Sequence, residues 1–168
     1  MNLFNFSLRL NGFPIGKATK LLADIQLIPD EDYKGYLERK KKEILSFHLK
    51  NNLFYKDFTK DSDLSKWENV PITTKRYLQQ PLEKRLSKGF TSQNVYVNKT
   101  SGSSGDPFIF AKDKFCHALT WALIQDRFAY YNIDLNKSKQ ARFYGIPLDK
   151  KNDIKLQLKC YLIRIPPI

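Results

Sequence analysis

Cysteine is nearly absent from this sequence, with only Cys116 and Cys160 among 168 residues. Two distant cysteines cannot form the disulfide framework that small secreted domains rely on. No second cysteine–histidine pair has the spacing of metal ligands, so no protein-bound metal site is predicted. This cysteine usage fits a reducing compartment best, and we expect a cytoplasmic protein.

Long apolar runs are missing too, and none approaches the roughly 20 residues that a helix needs to span a bilayer. Residues 1–20 mix polar with apolar side chains and lack an Ala-x-Ala cleavage site, so they make a poor signal peptide. Glycine and proline are scarce, at 7 and 8 residues, while 42% of the residues are hydrophobic. We therefore expect a soluble, globular chain of one domain's length.

Acidic residues are outnumbered, since 29 lysines and arginines face 17 aspartates and glutamates, giving a net charge of +12. Such a charge attracts polyanions, nucleotides or acidic lipid head groups without selecting among them. Of the 29 cationic residues, 22 are lysine and 7 arginine. Surfaces that read nucleic-acid sequence favour the bidentate fork of arginine, so the lysine excess argues against nucleic acid as a partner.

A first helix is predicted over residues 33–50. Its apolar positions share one helical face, formed by Leu37, Ile44, Leu45 and His48. Glu38 and Lys42 stand four residues apart and are available as an i,i+4 ion pair. The basic block 39–42 is interpreted as a solvated face, and His48 as a partly buried structural residue.

The stretch from 51 to 69 is predicted to be a loop, because it is rich in aspartate, serine and lysine. Its aromatic residues are interpreted as anchors that pack against the body and not as stacking platforms for bases, namely Phe54, Tyr55, Phe58 and Trp67. A short helix is predicted after Pro71, with Thr73 or Thr74 as its N-cap.

Two strands and a long helix are predicted in the second half. Residues 94–100 alternate apolar with polar side chains, and residues 108–110 form a second β-favouring run. Apolar residues recur at helical spacing over 113–131, where Cys116 and His117 are assigned to core or flanking positions. Further on, residues 141–145 are predicted to form a strand and residues 149–159 a basic helix.

The segment between the two predicted strands carries the chemistry, and it reads Thr100, Ser101, Gly102, Ser103, Ser104, Gly105, Asp106 and Pro107. Glycine permits the unusual dihedral angles that turn successive amides toward one anion, and the hydroxyls can donate to phosphate oxygens or help hold Mg²⁺. No lysine follows the second glycine, so the segment is not a Walker A loop. A plain Ser/Gly linker is the alternative, but two strands and a helix should not bracket a linker so closely.

This ordered set resembles adenylate-forming enzymes, specifically the phenylacetate-CoA ligase family and its capsule-biosynthesis (CapK-like) relatives. The segments 52–56 and 70–75 are similar to family segments that precede the phosphate loop, so the resemblance covers about residues 33–147. It implies an α/β fold with a helical N-terminal region, 1–70, and a phosphate-loop α/β region, 71–168, as one partial domain. It also implies ATP with Mg²⁺ as cofactor, with residues 100–105 holding the outgoing phosphates.

The resemblance further implies ATP-dependent activation of a carboxylic acid through an acyl-adenylate. Relatives place their magnesium-binding acid, ribose-binding aspartate and catalytic lysine after the phosphate loop, beyond the reach of this sequence. We therefore expect an N-terminal portion of a ligase-like protein with little or no adenylating activity alone. The alternatives are a small basic module for nucleic acid or anionic surfaces, and a decayed fragment without function.

Overall fold

A computed structural model of the chain describes residues 3–100, 107–134 and 137–138. Over these ranges the chain forms seven α-helices, a single 3₁₀ turn and a two-stranded antiparallel sheet. This mixed, helix-rich architecture is compatible with the predicted α/β class in general terms. The predicted strand 141–145 and basic helix 149–159 lie outside the described residues.

The elements follow one another with short connections. The helices are α1 (Leu3–Leu10), α2 (Ile15–Gln26), α3 (Asp30–Asn51), α4 (Leu53–Phe58), α5 (Lys75–Leu78), α6 (Leu82–Arg85) and α7 (Lys114–Tyr130). The 3₁₀ turn is Trp67–Asn69, and the strands are β1 (Tyr96–Lys99) and β2 (Ile109–Lys112). The predicted helices 33–50 and 113–131 and the two predicted strands are thereby confirmed to within a few residues.

The best-buried apolar side chains lie where α1, α2 and α7 meet, and they are Leu8, Ile15, Ala18, Ala118 and Ala122. Three of these five are alanines, whose small side chains let α2 and α7 pack closely. Asp113 caps α7, because its carboxylate accepts a hydrogen bond from the Cys116 amide at 2.6 Å. The helix therefore begins one residue after the predicted start.

Helix α3 is long, at 22 residues, yet none of its side chains is fully buried. Asp30, Glu31 and Asp32 occupy its first turn and complement the helix dipole. Of the lysines near Glu38, the structure pairs it with Lys41, at 2.8 Å, and not with the available Lys42. The Lys41 ammonium also lies 5.6 Å from the centre of the Trp67 ring.

The prediction of a loop over residues 51–69 is wrong in part, because helix α4 and the 3₁₀ turn lie within it. Three of the four predicted aromatic anchors pack against the body, whereas Trp67 is exposed. The rings of Phe54 and Phe58 lie 4.9 Å and 4.4 Å from that of Tyr77. The ring of Tyr55 lies 5.3 Å from His48, which is partly buried as expected. These contacts join α3, α4 and α5 into an aromatic cluster separate from the alanine-rich core.

Thr74 is the N-cap of α5, as one of the two predicted candidates, and its hydroxyl accepts from the Tyr77 amide at 3.4 Å. None of the helices in the described part of the chain combines the length and apolar character that crossing a bilayer requires.

Candidate functional site

The predicted phosphate segment connects the two strands of a β-hairpin in the chain. Strands β1 and β2 pair antiparallel, with Tyr96 opposite Lys112 and Lys99 opposite Ile109. This register brings the two ends of the segment 100–108 together just beyond the last strand pair. The sequence therefore predicted correctly that two strands flank the segment.

Thr100 is the one predicted site residue that falls within the described ranges, and it closes the hairpin. Its amide donates to the Phe108 carbonyl at 3.0 Å, and its hydroxyl oxygen accepts from the Phe108 amide at 2.9 Å. The hydroxyl proton remains able to donate to an incoming anion. The other predicted residues, Ser101, Gly102, Ser103, Ser104 and Gly105, lie outside the described residues.

Arg85, the last residue of α6, braces the same hairpin from the side. Its Nε donates to the Gln80 carbonyl at 2.9 Å, and its Nη2 donates to the Ile109 carbonyl at 2.7 Å. The guanidinium carbon lies 5.4 Å from the centre of the Phe108 ring. Sequence reasoning missed this residue, because a single arginine in a short helix carries no pattern.

A cleft of about 460 Å³ opens between α6 and the hairpin. Its walls come from two segments, and the lining residues are Leu78, Gln79, Gln80, Pro81, Leu82, Arg85, Pro107 and Ile109. Apolar side chains dominate the lining, with two amides and one guanidinium as the polar groups. Pro107, the last residue of the predicted phosphate segment, is one of the lining residues.

Asn52 hydrogen-bonds to the C-terminal end of α6. Only 6% of its surface is exposed. Its Nδ2 donates to the Arg85 carbonyl at 2.9 Å and to the Ser87 hydroxyl at 3.0 Å. Its Oδ1 accepts from the Tyr55 amide at 2.8 Å and so caps α4. One side chain thus links the start of α4 to the residue that braces the hairpin.

His117 holds the opposite side of the hairpin against α7. Its ring stacks on Tyr96 at 3.9 Å between centroids and lies 4.7 Å from Phe13. Its Nε2 accepts a hydrogen bond from the indole Nε1 of Trp121 at 3.1 Å, which requires an unprotonated Nε2. Burial, and secondarily Lys112, lowers the pKa of His117. The interpretation of His117 as a packing residue is confirmed.

Metal ligands are the next feature of the described residues. Over 3–100 and 107–134, no group of three histidine, cysteine, aspartate or glutamate side chains is placed to hold a metal ion. Comparison of the chain with models of protein families, with curated proteins and with solved structures gave no match.

Proposed function

We propose that the hairpin tip binds the phosphates of a nucleotide, ATP with Mg²⁺, and serves ATP-dependent activation of a carboxylic acid. The observation that supports this most is the double hydrogen bond between Thr100 and Phe108. It brings the two ends of the predicted phosphate segment together, so the residues that flank this segment are held at a fixed separation. Loops of this kind, with two glycines and several hydroxyls, suit anion binding.

The side chains near the loop fit a polyphosphate. The Thr100 hydroxyl retains a proton to donate, and the guanidinium of Arg85 lies beside Phe108 at the loop base. Positive charge and fixed donors stabilise negative charge that builds up on departing phosphates. The described residues offer no carboxylate cluster for Mg²⁺, so in this proposal the ion accompanies the nucleotide phosphates.

A bound nucleotide would supply the α-phosphorus that a carboxylate oxygen attacks, with pyrophosphate as the leaving group. The chain's own part is to hold and orient the β- and γ-phosphates: the amides around Gly102 and Gly105, and the hydroxyls of Ser101, Ser103 and Ser104, would contact their oxygens. Orientation of this kind lowers the barrier by holding the reacting atoms close to their attack geometry.

Titration calorimetry with Mg²⁺-ATP tests the proposal, because the proposal concerns binding by the loop. A valine at position 105 removes the backbone freedom of glycine, so Gly105→Val should abolish binding. The double change Ser103→Ala and Ser104→Ala should weaken binding by about tenfold, the effect of losing roughly 1.4 kcal/mol of hydrogen bonding. Ser92→Ala, at an exposed serine ahead of β1, is the matched control and should leave binding unchanged.

Wild-type affinity for ATP that survives both loop variants would overturn the proposal. In that case, salt-sensitive binding to random duplex DNA, equal in wild type and variants, would support the basic-module alternative.

A further inference from the structure

Arg85 carries a positive charge that no described carboxylate neutralises. The ion pairs among the described residues all join a lysine to an acidic side chain. Glu83, two residues earlier on α6, acts on Arg85 only through its more distant charge, and burial still lowers the pKa of Arg85. A half-buried cation without a counter-ion favours the arrival of an anion.

The guanidinium is held in a fixed orientation. Of its five N–H donors, two are committed to the Gln80 and Ile109 carbonyls, which leaves three for a ligand. Two backbone acceptors, one in the connection between α5 and α6 and one in β2, set the plane of the fork before any ligand binds. Preorganised donors lose less conformational entropy on binding than a free side chain does.

Arg85 lies in a cleft with apolar walls. Leu82, Pro81 and Ile109 give the cleft apolar walls, and its volume of about 460 Å³ lies in the size range of small-ligand sites. Gln79 and Gln80 also line the cleft, and their side-chain amides can donate or accept further hydrogen bonds. A concave, mostly apolar lining with one charged group is the usual composition of a ligand site.

We propose that this cleft is an oxyanion-binding site, in which the free N–H groups of Arg85 bind a phosphate or carboxylate group and the apolar walls contact the rest of the ligand. The site itself depends on Arg85 and its cleft. Any role of this cleft in nucleotide binding rests on the proposed function. The two sites are adjacent in the chain, since Pro107 lines the cleft and ends the predicted phosphate segment.

Chemical modification of the wild-type chain tests the proposal without any change of sequence. Phenylglyoxal reacts with accessible arginines, and peptide mass spectrometry gives the rate at each one. We expect saturating inorganic pyrophosphate to slow modification of Arg85 by about tenfold, as a site filled at ten times its Kd would. Arg76 and Arg127, exposed on α5 and α7, are internal controls and should react at unchanged rates.

The choice of anion separates the two sources of the oxyanion. Protection by pyrophosphate but not by benzoate assigns the cleft to a phosphate, and protection by benzoate assigns it to a carboxylate. Chloride at equal ionic strength corrects for screening. No protection by either anion, or equal protection of Arg76 and Arg127, would overturn the proposal.

The loop variant and two charge variants complete the test. If protection of Arg85 persists in Gly105→Val, the cleft binds its anion independently of the loop, so the two proposals can fail separately. Arg85→Lys keeps the charge but loses the fork, and we expect pyrophosphate affinity to fall by about tenfold. Lys84→Gln removes a neighbouring exposed charge and should leave that affinity unchanged within about twofold.

Discussion

Thr100 and Phe108 form two hydrogen bonds at the loop end of the hairpin, one of which uses the threonine hydroxyl. Thr100→Val keeps the shape of the side chain but leaves the Phe108 amide without an acceptor. We expect the free energy of unfolding to fall by about 1 kcal/mol in urea denaturation. Thr100→Ser is the control, because it keeps the hydroxyl. Equal stability of the valine and serine variants would contradict the role assigned to this hydroxyl.

Asn52 makes three hydrogen bonds while almost fully buried, so its removal should cost more than that of an ordinary surface asparagine. We expect Asn52→Ala to lower the free energy of unfolding by about 2 to 3 kcal/mol, combining a lost cap with unpaired buried groups. The matched control is Asn51→Ala, at the adjacent residue, whose exposed amide donates to the Phe47 carbonyl. This control should cost less than about 1 kcal/mol, and a similar loss in both variants would argue against the bridging role of Asn52.

His117 should make stability depend on pH. Burial and Lys112 lower its pKa in the folded protein, while the unfolded chain returns it to about 6.5. As the pH falls below that value, the unfolded state binds more protons, so the stability present near neutral pH is lost until the folded pKa is passed. Thermal unfolding between about pH 7.5 and pH 5 measures this loss.

The control for this pH effect is His117→Gln, which cannot titrate and should flatten the profile. His48, the other histidine of the chain, also has a pKa lowered by burial, so the flattening should be partial. His48→Gln combined with His117→Gln should remove the remainder. A double variant with the wild-type pH profile would show that the histidines do not cause it.

Ala118 lies at the contact of α7 with α2 and has no exposed surface. A larger side chain cannot enter without moving one helix, so Ala118→Leu should destabilise the fold by about 1 to 3 kcal/mol. Ala129, on the exposed side of the same helix, is the matched position. Ala129→Leu should change stability by less than about 0.5 kcal/mol in the same denaturation measurement.

Local sequence patterns predicted the long elements well. Helix α7 was predicted from apolar spacing over its 17 residues, and the two strands from a short alternating run and a short β-favouring run. The short helix α4 was missed, since its six residues give too few periods to register. Its cap, Asn52, also faces α6, and a role that depends on residues 33 and 35 positions away leaves no local signal.

The candidate site divides in the same way. Thr100 was predicted because it belongs to a contiguous motif bracketed by β-favouring runs. Arg85 could not be predicted from the sequence. Its role depends on the Ile109 carbonyl, 24 residues later, and on a cleft that separate segments form. Glu38 pairs with Lys41, three residues on, and Lys41 also contacts the ring of Trp67, a neighbour that spacing along one helix does not include.

The hairpin touches two different helical packings, through Arg85 on one side and through His117 on the other. Among the described residues, it therefore connects the packing around α4 and α6 with the packing around α2 and α7. Removing either contact should reduce the cooperativity of thermal unfolding, so that a single melting transition broadens toward two. A ligand held at the hairpin would oppose that separation by adding its binding free energy to the linked state.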